Sequence, residues 1–83
     1  MNVVLYGKMG CCLCDECEIL LRVLQPEFGF VLQKIDIESD AVLRERWKFQ
    51  IPVVTFNGRQ RLALRISEAR VRRSLTRAQL EAS

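Results

Sequence analysis

Four cysteines lie between positions 11 and 17 of this 83-residue chain, as Cys11, Cys12, Cys14 and Cys17, and the chain contains no histidine. Cys11 and Cys14 have the spacing that matters most. Residues i and i+3 are neighbours on a helix, so their sulfurs can meet without rearranging the backbone. The pair also stands where a strand-like run and a glycine-bracketed turn lead into a helical pattern. Backbone N–H groups at a helix start have no intrahelical acceptor. They favour a thiolate on Cys11, and the expected depression of its pKa supplies the nucleophilic form at neutral pH. Lys8, three residues upstream, adds a further positive field. The chemistry this points to is thiol–disulfide exchange.

Other uses of these thiols have to be weighed. Cys11 and Cys14 can also be read as small buried hydrophobes. Cys14 and Cys17 repeat the spacing, but inside the helix and without free amides. Cys17 shares its stripe with Leu20, Leu21 and Leu24 and reads as packing. Cys12 is expected to point away from the core, as a bystander or as a third thiol in exchange; both remain open. Four thiolates are a donor set for zinc, copper(I) or an iron–sulfur cluster. Side chains from one helical start diverge, however, and tetrahedral sites draw ligands from two segments. No metal site is therefore expected, and a metal-binding or redox-sensing thiol module without turnover stays the alternative to an exchange enzyme. The lack of histidine excludes Cys–His proteases and His-ligated metals.

The elements that must hold the pair follow from the pattern. Residues 2–6 are apolar and β-branched, and read as a buried strand. Gly7 and Gly10 bracket a turn. From Cys12 to Gln25 the apolar positions Leu13, Cys17, Leu20 and Leu24 recur with helical period, with Cys14 and Leu21 alongside, Asp15, Glu16 and Glu18 suit the helix start, and Pro26 and Gly29 end the helix. Residues 30–37 form a second strand, and Ser39 caps a short helix from Asp40 to Trp47. Residues 52–56 and 60–64 form two strands joined by a two-residue Asn57-Gly58 hairpin. Ser67 opens a last helix with Val71, Leu75 and Ala78 inward and Arg70, Arg73 and Arg77 on another side. The order is β-α-β-α-β-β-α. A right-handed crossover makes the first strand pair parallel, the hairpin makes the last antiparallel, and the result is an α/β fold: a four-stranded mixed sheet with helices on both faces. Trp47 and Phe49 read as core or near-core residues. Tyr6 either lines a substrate groove or caps the core.

Composition sets the frame. With 49% hydrophobic and 28% charged residues and a net charge of +3, the chain suits one globular domain over residues 1–83. Clustered cysteines cannot staple distant segments as in secreted scaffolds. The N-terminal residues carry no secretory pattern and no apolar run reaches membrane length, so a cytoplasmic protein without membrane contact is expected. The last third is rich in arginine, but no aromatics are interleaved with it, so nucleic acid is not the expected partner.

Lys8-Met9-Gly10-Cys11-Cys12-Leu13-Cys14, then Ile51-Pro52-Val53-Val54, then Asn57-Gly58, resemble the glutaredoxin branch of the thioredoxin superfamily, in particular small bacterial glutaredoxin-like proteins. The resemblance implies a thioredoxin-like fold. It implies that Cys11 attacks, that Cys14 resolves, and that a cis Pro52 packs beside the pair. The Ile51 backbone would bind an extended substrate, and Lys8 would meet a glutathione carboxylate or steady the thiolate. The sequence departs from the glutaredoxin pattern at Cys12 and Leu13, where proline and an aromatic are usual. Leu64-Arg65-Ile66-Ser67-Glu68 replaces the usual Gly-Gly turn, leaving Ser67 and the helix start to hold a carboxylate. The implied partner is a disulfide-containing protein or a glutathione mixed disulfide, taken by a monomer. No bound cofactor is expected, and glutathione is the candidate co-substrate.

Overall fold

The structure is a computed structural model that describes residues 1–82, apart from the side chains of Gln60 and Ala82; Ser83, at the end of the expected domain, lies outside it. The elements are β1 (Asn2–Gly7), α1 (Cys12–Phe28), β2 (Val31–Asp36), a single 3₁₀ turn (Ile37–Ser39), α2 (Ala41–Trp47), β3 (Val53–Phe56), β4 (Gln60–Ala63) and α3 (Glu68–Ala82). The strands form one sheet in the order β2-β1-β3-β4. β1 runs parallel to β2 and antiparallel to β3, and β3 runs antiparallel to β4.

Strand alternation divides the sheet into two faces. Val3 and Leu5 of β1 stand opposite Phe56 and Val54 of β3. They pack with Cys17, Leu21 and Leu24 of α1 and Val71, Leu75 and Ala78 of α3 in the larger core. Burying a leucine or phenylalanine side chain of this kind contributes roughly 1.5–3 kcal/mol. On the other face Tyr6 opposes Val53, and both pack with Trp47, Ile37, Ile51 and Leu43 in a smaller cluster that α2 covers. Helices thus cover both faces.

Five local expectations are corrected. Pro26 does not end α1, which continues to Phe28 and stops at Gly29 in the left-handed conformation, φ 70°. Proline near the last turn removes one backbone bond only. The Gly29 N–H donates to the Gln25 carbonyl at 2.8 Å, and Gln25 Nε2 donates to the Phe30 carbonyl at 3.0 Å. The stripe that α1 buries is Cys14, Cys17, Leu21 and Leu24: Cys14 and Leu21, expected beside it, belong to it, while Leu13, expected at its head, is 56% exposed. Asp40, not Ser39, caps α2: its Oδ1 accepts from the N–H of Val42 at 2.8 Å and of Leu43 at 3.4 Å. Ser39 closes the 3₁₀ turn, donating to the Asp36 carbonyl at 2.6 Å. Asn57 and Gly58 do turn with φ 54° and 72°, and the Arg59 N–H donates to the Phe56 carbonyl. Pairing resumes at Gln60, where the strand was expected, so the connection is a three-residue loop over 57–59 and not the two-residue hairpin. Phe49 is 83% exposed, outside the core; it follows the end of α2, and its ring lies against the Lys48 ammonium.

Candidate functional site

Cys11 is the N-cap of α1, with extended φ/ψ of −96° and 107°. Its Sγ accepts a hydrogen bond from the Cys14 backbone N–H at 3.2 Å. A sulfur in this role does what serine or aspartate oxygens do at other helix starts, and the bond strengthens as the sulfur gains negative charge. Cys11 is half-buried, Cys12 exposed, Cys14 and Cys17 buried, and all four are free thiols.

Cys14 sits behind Cys11 in the smaller core cluster, among Ile37, Trp47, Ile51 and Val53. Burial pushes its thiol up to about 11; the Cys11 sulfur adds to this, and the Lys8 backbone N–H opposes it. Burial pushes the Cys17 thiol to about 12, with the charge of Cys14 adding to it. The two thiols are therefore protonated at neutral pH, and Cys17 faces the larger core with Leu21 and Leu24. Among the described residues, no group of three or more His, Cys, Asp or Glu is arranged to hold a metal ion.

Ile51 belongs to the same cluster, Pro52 is buried as well, and the Ile51-Pro52 peptide bond is cis. The Pro52 carbonyl accepts from the Leu64 N–H at 3.0 Å, and Leu64 also reaches the Gln50 carbonyl at 3.2 Å. Between these two satisfied carbonyls, the Ile51 backbone makes no hydrogen bond among the described residues.

Lys8 and Ser67 are not brought together. Lys8 is exposed and lines a cavity of about 240 Å³ with Gly7, Met9, Cys14, Asp15 and Asp36 among its walls. Ser67 lines a separate hollow with Leu13 and Glu16 of α1 and Leu64 to Ile66. Its Oγ accepts from the Arg70 N–H at 3.3 Å, so it caps α3.

Two residues near the cysteines have roles the sequence did not disclose. A Cβ at Gly7 would stand 3.0 Å from both Cβ and Sγ of Cys14. Gly7 is therefore the floor under Cys14 as well as the start of a turn. Trp47 packs edge-on against Tyr6 with ring centroids 4.4 Å apart, which makes both aromatics part of the wall around the cysteine cluster. Trp47 Nε1 is buried and has no hydrogen-bond partner.

Residues 2–76 match the family described as Glutaredoxin-like domain (DUF836). The chain belongs to that family. This glutaredoxin-like chain also shares its fold with solved structures. A target protein, XcR50 from X. campestris, is 23% identical with a TM-score of 0.74, over 98% of this chain and 97% of the other. Thioredoxin 1 from the thermophilic eubacterium Thermosipho africanus is 16% identical with a TM-score of 0.75, over 99% and 98%. The thioredoxin-like fold and the glutaredoxin-like family expected from the sequence are thus both found, and a thiol-redox role in general follows from the family. Among the described residues no helix is long and apolar enough to cross a membrane.

Proposed function

We propose that this glutaredoxin-like protein is a thiol–disulfide oxidoreductase acting through Cys11 and Cys14. The observation that carries the reading is the hydrogen bond from the Cys14 N–H to the Cys11 sulfur at the start of α1, with the Cys14 thiol buried directly behind. A donor already aimed at the attacking atom stabilises the thiolate without reorganisation.

The Cys11 thiolate attacks one sulfur of a substrate disulfide. A bond forms between Cys11 and that sulfur, the substrate S–S bond breaks, and the other half leaves as a thiolate. Cys14 then attacks Cys11, giving up its proton to the departing thiolate. The first half of the substrate leaves, and a Cys11–Cys14 disulfide remains. The substrate disulfide gains two electrons and the dithiol loses two. Two glutathione thiols or an external dithiol restore the starting state. The high Cys14 pKa suits this order, since Cys14 stays a thiol until the mixed disulfide provides a thiolate to take its proton. The unpaired Ile51 backbone supports strand-like docking of an extended substrate beside Cys11. Lys8 and Ser67, being on separate hollows, would contact different parts of it. A protein disulfide or a glutathione mixed disulfide is the substrate class, and the reducing cytoplasm is the setting this implies.

The test is trapping with a glutathionylated peptide. The Cys14→Ser variant should accumulate a mixed disulfide on Cys11, the Cys11→Ser variant none, and the unaltered protein a Cys11–Cys14 disulfide. Absence of that intramolecular disulfide at every glutathione ratio would sink the reading.

A further inference from the structure

Three arginines have no assigned work in this site. Arg73 and Arg77 of α3 and Arg61 of β4 line a groove of about 370 Å³ with Arg70, Ser74 and Leu62. Among the described residues, the side chains of Arg61, Arg73 and Arg77 make no hydrogen bond or ion pair. Arg70 is fixed by donating to the Arg65 carbonyl at 2.9 Å, which leaves its charge uncompensated. No acidic residue lines the groove. The nearby Glu68 is committed to Arg72, which also grips Glu27. Four arginines therefore border one groove with no acidic residue in its lining, three of them along a helix stretch of about 10 Å from Arg70 to Arg77.

We propose that this groove binds an acidic segment of the substrate protein. The inference rests on the disulfide-exchange reading and names the kind of partner. Guanidinium forks pair bidentately with carboxylates and phosphates, so the anion class follows from the donors. The choice of a peptide rests on two observations. First, no aromatic side chain lines the groove, so nucleobases have no platform to stack on. Second, the groove continues toward the thiols. Arg70 also borders the hollow formed by Leu13 and Glu16, one turn into α1, and by Leu64 to Ser67. Leu13 and Leu64 are 56% and 48% exposed there. A polypeptide with its disulfide at Cys11 would lay an apolar residue across Leu13 and Leu64 and an acidic run against the arginines.

The decisive measurement is binding of a fluorescent hexaglutamate peptide to the Cys11→Ser protein, in which no covalent capture occurs, at about 50 mM salt, where screening is weak. Saturable one-to-one binding is expected. The double variant Arg73→Ala/Arg77→Ala should raise Kd roughly fivefold to tenfold, the sum expected for two partly exposed charge pairs. Arg59→Ala, outside the groove, should leave it unchanged, and melting curves check that each variant is folded. No binding at millimolar peptide, equal binding by the double variant, or tighter binding of an oligothymidylate of similar charge would each overturn the proposal. In the otherwise unaltered protein, the same double variant should raise KM for a disulfide peptide with an acidic tail and leave kcat unchanged. If no peptide disulfide is turned over, the exchange reading fails, while the binding arm still decides the groove.

Discussion

Replacing Gly7 by alanine should disturb the cysteine site more than its size suggests. The added Cβ would lie 3.0 Å from both Cβ and Sγ of Cys14, some tenths of an ångström inside ordinary contact. Neither side can yield easily. Gly7 is held in the sheet opposite Asp36 of β2, and Cys14 is backed by the buried Ile37, Trp47, Ile51 and Val53. Overpacking of this kind costs about 1–3 kcal/mol. In a domain of this length each kcal/mol lowers Tm by roughly 4–8 °C, so the expected fall is easily measured on the fully reduced protein. Denaturant unfolding in a double-mutant cycle tests the cause. In a Cys14→Ala background the sulfur half of the clash is gone, and the cost of Gly7→Ala should shrink by at least about 0.5 kcal/mol. A neutral Gly7→Ala, or the same cost in both backgrounds, refutes the steric account.

The remaining predictions concern the buried thiols and the second helix. Cys14 and Cys17 are pushed to about 11 and about 12 in the folded chain, against about 8.5 for a free thiol. Between these limits the folded state binds more protons than the unfolded one, so their contribution is complete below about pH 8.5 and is lost as pH rises toward 12. Stability followed from pH 8 to 11 should fall less steeply in Cys17→Ala than in the unaltered protein; parallel slopes would contradict this. Asp40→Ala should cost about 0.5–2 kcal/mol, the usual loss for an N-cap. Ser39→Ala should cost less, and equal losses in urea unfolding would reverse the cap assignment.

The order of elements and the placement of Cys11 and Cys14 at the start of α1 were legible in the sequence because each rests on local pattern. Short apolar runs rich in β-branched residues mark β1 and β3, and the Cys11–Cys14 spacing at a strand-to-helix junction marks the candidate site. What was hidden depends on contacts between distant segments. Gly7 looks like any turn glycine until Cys14 is seen against it. Leu13 fits the helical period as well as Cys14 does, and only docking of α1 on the sheet turns one in and the other out. Ser39 and Asp40 are both capping types, and the 3₁₀ turn that engages Ser39 has no clear sequence mark. Phe49 carries the size of a core residue, yet the chain leaves α2 before it can turn inward. The arginines of α3 were visible as one side of a helix. That Arg61 of β4 completes a groove with them was not, because the sheet register decides it.

The strand order has one more consequence. β2 and β4 are outer strands, each with one side open to pairing with a further chain. Each carries an exposed cation, Lys34 in β2 and Arg61 in β4. Two molecules approaching along matching edges bring like charges toward each other, which opposes strand addition and fibre growth. Arg61, which has no ion-pair partner among the described residues, therefore guards the β4 margin of the sheet, whereas the Lys34 charge at the β2 margin is compensated by Glu18 at 2.8 Å.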